Sequence, residues 1–257
     1  MKNSVEPNVR LGVLNKTFQV VDLLNAHPKG MRLSEVSESL RLPSSSLHHI
    51  LSMLRSEDYV VQDPDTKRYF LGFKFLSISS KILDNLDIRK AAYKYLRELH
   101  QQINETVNLT VLRNGQVTFI DKIQKIGGLS LDTYLGFSTD PHAAASGKVL
   151  LSSLDENEVV NIYKDRPMKV YGKNTIRSIE KLMKELQKIR KHGFAIDNEE
   201  YYEGVRCVAA PIVSRGKVVA AVSVTGSIFT MSMRRINSQI ISLVKETAKK
   251  ISAEMPA

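Results

Sequence analysis

The chain has 257 residues, room for two domains of ordinary size, and its 42 % hydrophobic and 25 % charged content is ordinary globular usage. A single cysteine, Cys207, excludes an intrachain disulfide and a cysteine-based zinc cluster. No run approaches the roughly 18–20 apolar residues of a membrane span, and the opening MKNSVEPNVRLG lacks the apolar core of a secretory signal, so a cytoplasmic protein without membrane attachment is expected.

The net charge of +10 splits into +3 over residues 1–90 and +7 over 91–257. Basicity therefore argues only weakly for nucleic acid, and a case for DNA must rest on a motif. Residues 1–10 are polar and expected to fray. A first helix is predicted over 13–25, with Leu14, Phe18, Val21 and Leu24 as its stripe, ended by His27-Pro28-Lys29-Gly30. Two short apolar-periodic segments follow, LSEVSESL and SSSLHHILSML, broken at Arg41-Leu42-Pro43. Leu33, Val36 and Leu40 share one stripe; Leu47, Ile50, Leu51 and Leu54 stand at i, i+3, i+4 and i+7. The outward face of the second segment is Ser44, Ser45, Ser46, His48, His49 and Ser52, with no acid between Leu40 and Arg55. Short polar donors on the first turns of a helix braced by a partner helix suit a major groove. Any of the three serines can cap that helix. Two β-prone runs, 59–62 and 68–71, flank Asp63-Pro64-Asp65-Thr66 and predict a hairpin. Three helices and a hairpin make a winged helix-turn-helix. Arg41, Lys67, Arg68, Arg10 and Lys16 are candidate phosphate contacts.

Further helices are predicted over 73–86, with a broad apolar face suited to a connector and a dimer contact, and over 88–104. Strands 106–112 and 116–122 flank Arg113-Asn114-Gly115 as a hairpin, and 129–135 reads as another strand. Helices are predicted over 143–153, 178–192 and 237–253, and strands over 194–197, 205–213 and 217–225. Helices mixed with hairpin-linked strands give an α+β class, an antiparallel sheet flanked by helices.

The blocks GFSTDPHAAASGKVLLSSL (136–154), HGFAIDNEEYYEGVRCVAAPI (192–212) and GKVVAAVSVTGS (216–227), behind the winged-helix segment, make the chain resemble the IclR family of bacterial transcriptional regulators over residues 12–255. The resemblance implies a GAF- or PAS-like effector domain. It also implies a homo-oligomer, dimer or dimer of dimers, whose affinity for double-stranded operator DNA is set by a small organic acid, commonly for a catabolic operon. On this reading residues 11–72 bind DNA, 73–87 form a linker helix and 88–257 bind effector. Positions matching the family's ligand site are Ala145, Ser146, Asp197, Cys207, Ser223 and Thr225, with Leu129 and Leu131 as an apolar wall. Ser146 stands where many members have a small apolar residue.

The residues themselves support part of this. A helix starting near 143–147 offers free N–H groups to a carboxylate, and Ser223 and Thr225, two apart on a strand, face one side. Blander readings stand beside it: Cys207 a small buried hydrophobe, Ser223 a core-edge hydroxyl, Asp197 a turn residue. A Cys207/His142/Asp197 nucleophilic set, making the chain a metabolite-processing or redox enzyme with a fused DNA-targeting module, is the alternative; a structural nucleoid protein is a third. No Gly-rich phosphate loop or metal-ligand spacing is present, so no cofactor or metal is expected.

Overall fold

The computed structural model describes residues 12–127, 131 and 133–255. The readings placed on residues 1–10, including Arg10, and on Leu129 lie outside these. Two compact units meet in sequence at Asn85 and Leu86, and each is described by itself.

In the first unit α1 (Val13–Ala26), α2 (Leu33–Leu40) and α3 (Ser44–Ser56) precede a two-stranded antiparallel wing, β1 (Val60–Gln62) and β2 (Tyr69–Leu71). Its core is Val20, Leu24, Val36, Leu47, Ile50, Leu51, Val60 and Tyr69. The stripe expected on α1 is corrected. Leu14 and Phe18 are 68 % and 58 % exposed while Val20 is fully buried. Apolar residues ring most of this helix, so periodicity alone did not choose the inward side. The α2–α3 turn is fixed by Arg41 in the left-handed region (φ 52°), with Leu42 N–H donating to the Ser37 carbonyl at 3.1 Å and Ser37 Oγ donating to the Leu42 carbonyl at 2.6 Å. After the wing comes α4 (Lys74–Asp84), with none of its residues buried.

In the second unit α5 (Asp87–Ile103) leads into β3 (Thr106–Arg113), β4 (Gln116–Ile123) and β5 (Ser138–Thr139). A 3₁₀ turn (Pro141–Ala143), α6 (Ala145–Leu151), α7 (Glu156–Lys164) and α8 (Ile179–His192) follow, then β6 (Ala195–Asn198), β7 (Val205–Ser214) and β8 (Lys217–Ser227). The chain closes with α9 (Met233–Arg235), a π-helical turn (Ile236–Ile240) and α10 (Ile241–Glu254). The sheet is antiparallel throughout, in the order β5-β4-β3-β8-β7-β6. Side chains alternate across it. Val107, Leu109, Val208, Val222 and Val224 pack on α5 and α10, whereas Val117, Ala209 and Ala221 face α6, α7 and α8.

Two expectations fail here. Residues 131 and 133–137 are loop, and the edge strand is Ser138–Thr139. Helix α7 was not anticipated, although Asp155 and Glu158 form a capping box that the sequence spells out.

Candidate DNA-binding face and effector cavity

Helix α3 turns Leu47, Ile50 and Leu51 into the core. Ser44, Ser45, His48, His49 and Ser52 are exposed within the unit and Ser46 is half-buried. No serine caps the helix. Pro43 takes the N-cap position with extended ψ, and no side chain closes the turn; a proline there has no N–H to satisfy. Ser44 Oγ instead lies 3.5 Å from Ser37 Oγ. Arg41 and Lys67 are exposed, and Lys16 half-buried.

Arg68 is the exception among the expected phosphate contacts. Its guanidinium donates to the Gly30 carbonyl at 2.7 Å and to both oxygens of Glu35 at 3.2 Å, tying the wing to α2. A fork committed to a carboxylate in this way is occupied within the fold, which removes Arg68 from the free cations of this face.

The second unit contains a cavity on the α6 side of the sheet. Helix α6 covers Val117, Ala209 and Ala221, and the cavity reaches Ala144 at the start of that helix. Asn108, Cys207, Thr225 and Asp197 form its floor. Phe119, Phe137, Leu131 and Thr133 stand on one side, and Tyr201, Tyr202 and Val205 on the other. About 690 Å³ of space, open solvent included, is unfilled by protein atoms here.

Of the residues expected at an effector site, Leu131, Asp197, Cys207 and Thr225 line this cavity. Ala145, Ser146 and Ser223 do not. Ala145 is packed among Val117, Ala209 and Ala221, Ser146 is buried within α6, and Ser223 is buried two residues further along β8. The cavity touches Ala144, one residue before the helix.

Asn108, Thr139, Lys122 and Lys125 went unrecognised in the sequence. A signal existed for the first. In TVNLTV, Thr106, Asn108 and Thr110 alternate with buried Val107 and Leu109, yet Asn108 and Thr110 are buried as well. A polar face buried on a sheet requires polar partners or a ligand.

The charges are arranged unevenly. Glu105 is 3 % exposed and neutralised by Lys125 at 3.3 Å and Arg235 at 3.4 Å. Lys122 Nζ donates to the carbonyl and hydroxyl oxygens of Thr133, at 2.6 and 3.0 Å, and makes no ion pair among the described residues. Burial holds its pKa below the usual ammonium value. Burial, with repulsion from Glu200, raises Asp197 to about 7.

Burial also pushes the Cys207 thiol well up, with the Asp197 charge adding to it, so it stays protonated and is a poor nucleophile. His142 completes no nucleophilic set. It is fully buried, its Nε2 lies 2.9 Å from the Lys169 carbonyl, and its ring packs edge-on against Tyr163. Among the described residues no cluster of three or more His, Cys, Asp or Glu is placed to hold a metal, and no helix is long and apolar enough to cross a membrane.

A winged helix-turn-helix unit, joined in one chain to a sheet domain with a small-molecule cavity, defines a DNA-binding regulator. Residues 13–64 match the IclR helix-turn-helix domain and residues 80–253 the bacterial transcriptional regulator IclR C-terminal domain. The chain belongs to the IclR family of transcriptional regulators.

It is 30 % identical over 241 residues to the HTH-type transcriptional regulator KdgR of Escherichia coli K12, covering 93 % of this chain and 91 % of that protein. It is 28 % identical to the HTH-type transcriptional repressor AllR of Salmonella typhi, covering 97 % and 93 %. The crystal structure of Thermotoga maritima IclR matches with a TM-score of 0.79 at 30 % identity, over 95 % of this chain and 99 % of that one. An IclR homolog from Microbacterium hydrocarbonoxydans, complexed with 4-hydroxybenzoate, shares the fold at 20 % identity and a TM-score of 0.79, over 95 % and 98 %. These families and relatives are transcriptional regulators, not enzymes, and the enzyme alternative built on Cys207 falls.

Proposed function

We propose that this regulator senses a small organic acid in the C-terminal cavity and that the acid changes its affinity for an operator controlling a catabolic operon. Residues 11–72 bind DNA, with α3 entering the major groove and Ser44, Ser45, Ser46, His48 and His49 on or beside the groove face. Arg41 and Lys67 contact phosphate. The segment 73–87, helical over α4 (Lys74–Asp84), links this domain to the effector domain at 88–257. The working form is a homodimer or a dimer of dimers, whose two recognition helices match or miss a pair of half-sites as effector shifts the populations.

The observation that carries the effector reading is Lys122. It is a cation at a largely apolar cavity whose hydrogen bonds go to neutral oxygens of Thr133. A carboxylate entering the cavity would meet that charge in a low-dielectric setting, where the attraction is strong. Leu131, Asp197, Cys207 and Thr225 line the same space; Ala145, Ser146 and Ser223 act from behind it.

The test has two arms. Footprinting on the DNA flanking the gene should give a protected site bound roughly 10³-fold or more tighter than bulk DNA. A thermal-shift screen of small organic acids should find one that raises the unfolding temperature and changes that footprint. An acid that binds and leaves operator affinity unchanged refutes the coupling.

A further inference from the structure

A single carboxylate ties the wing to α2. The two wing strands share three paired positions, Val60 with Leu71, Val61 with Phe70 and Gln62 with Tyr69, and a two-stranded hairpin is marginal by itself in water. Met31 pairs with Tyr69 beside it, through N–H to carbonyl bonds of 3.0 and 2.7 Å. Beyond that bridge the wing meets α2 at Glu35. One Glu35 oxygen accepts the Arg32 N–H at 2.6 Å, and both oxygens accept from the Arg68 guanidinium, whose Nη1 also donates to the Gly30 carbonyl. On the other side of the wing, Gln62 donates to the Lys67 carbonyl and accepts from Arg55 of α3, each at 3.2 Å. Lys67 lies between these two anchors in the left-handed region (φ 56°), so the placement of its ammonium relative to α3 follows from how they hold the turn.

The pair also has an electrostatic consequence. The chain carries a net charge of +10, which by itself favours any polyanion. Lys29 and Lys67, the sequence neighbours of Gly30 and Arg68, are exposed, as is Arg32. A further guanidinium set free there would add a phosphate contact, and phosphate contacts strengthen binding to every sequence alike. Specificity is a difference of affinities, so a group that keeps a cation off bulk DNA raises it just as a base-reading group does.

We infer that Glu35 is a specificity-determining residue that makes no contact with DNA: it positions the wing against α2 and withholds the Arg68 guanidinium from phosphate, so that the operator is favoured over bulk DNA. This rests on the DNA-binding reading of residues 11–72 above.

The experiment measures the affinity of the full chain by fluorescence anisotropy for two labelled duplexes, one carrying the footprinted site and one of alternating dI-dC, between about 50 and 200 mM salt. Glu35→Gln keeps an oxygen for the Arg32 N–H and loses the charge. It should raise affinity for the dI-dC duplex, steepen the salt slope on that duplex by about 1 and cut the ratio of operator to bulk affinity ~5-fold or more. Adding Arg68→Gln should return bulk affinity and its slope to wild type while operator affinity stays low, a split that a general loss of structure does not produce. Glu38→Gln, exposed on the same helix, removes an equal charge without releasing an arginine and should leave the slope alone. If Glu35→Gln leaves the ratio unchanged or lowers operator affinity only, or if Glu38→Gln matches it on both duplexes, the inference is overturned and the DNA-binding reading survives. If the wild-type chain binds both duplexes alike, the DNA-binding reading itself fails and takes this one with it. The Arg68 and Glu35 side chains are 33 % and 42 % exposed, so neither substitution opens the core; a Glu35→Gln chain that did not fold would give the residue a role in stability instead and equally overturn the inference.

Discussion

Lys148 and Glu200 form an ion pair inside the effector domain. The lysine, 1 % exposed, heads the largest fully buried side chains among the described residues; its ammonium donates to Glu200 Oε1 and, at 2.7 Å, to the Ile196 carbonyl. The pair joins α6 to the β6 end of the sheet, next to Asp197. Removing one member leaves a buried charge without its counterpart, which costs far more than the pair itself contributes. Lys148→Met, similar in volume, should destabilise the domain by about 3–5 kcal/mol. Glu200→Gln should cost less, since an amide oxygen still accepts from the ammonium. The double change Lys148→Met with Glu200→Leu should recover most of the loss. Thermal unfolding of the full chain reads all three, and a double variant no better than Lys148→Met would contradict this account.

Asp197 makes stability depend on pH. Burial first, and Glu200 second, raise its pKa from 3.8 to about 7. Between those values the folded chain keeps a proton that the unfolded chain has lost. The contribution is whole below pH 3.8, declines as pH rises through about 7, and is gone above it. Glu200 is shifted the same way, mainly by burial. The unfolding midpoint should therefore fall between pH 5 and pH 8. Asp197→Asn should flatten that slope and leave the variant more stable than wild type at pH 8, by a few kcal/mol at most. Amide and carboxyl oxygens both accept the Glu200 N–H that Asp197 Oδ1 holds at 2.8 Å, so the substitution keeps that bond. A wild-type midpoint that rises over this range would show that the carboxyl is ionised at little cost.

Lys67 and Arg68 are adjacent wing cations with different employment. Lys67 is exposed, and Arg68 is tied to Glu35 and Gly30. Lys67→Ala should lower operator affinity uniformly and reduce the slope of log affinity against log salt by about 1. Arg68→Ala should lower affinity by loosening the wing, with the slope unchanged. Arg68→Lys should not restore it, because an ammonium cannot reproduce the two-pronged contact. Equal slope changes for the two alanine variants would return Arg68 to the phosphate contacts.

Much of this was legible because amphipathic spacing and turn residues report backbone directly. The α2–α3 pair, the wing and the hairpin at Asn114-Gly115 all follow from such signals. The cavity was legible only in part. Asp197, Cys207 and Thr225 were expected from the family resemblance, but Asn108, Lys122 and Thr139 enter through strand pairing that no local spacing encodes. Ser223 does not line the cavity although Thr225 does, because facing the same side of a sheet does not say where the cover of helix α6 ends and open space begins. The Leu14 and Phe18 error on α1 is different in kind, since apolar residues on several sides of one helix leave its rotation to tertiary contacts.

His48 and Leu47 are neighbours with opposite exposure, and this separates recognition from folding on one helix. Leu47 is fully buried; Leu47→Ala should cost roughly 2–5 kcal/mol and weaken DNA binding only by depleting folded protein. His48 and His49 are exposed, with rings edge-on at 6.4 Å. His48→Ala or His49→Ala should leave the unfolding midpoint within about 4 °C, since exposed substitutions shift stability little. At least one of them should lower operator affinity by ~10-fold or more, the scale of a lost base contact. A base-reading histidine also relaxes sequence preference at its contacted position, whereas a phosphate-contacting one lowers affinity for every sequence equally. Binding measured on the operator and on single-base variants of it distinguishes these. Full affinity in the double His48→Ala/His49→Ala protein would mean that α3 reads DNA through its serines alone or does not read it.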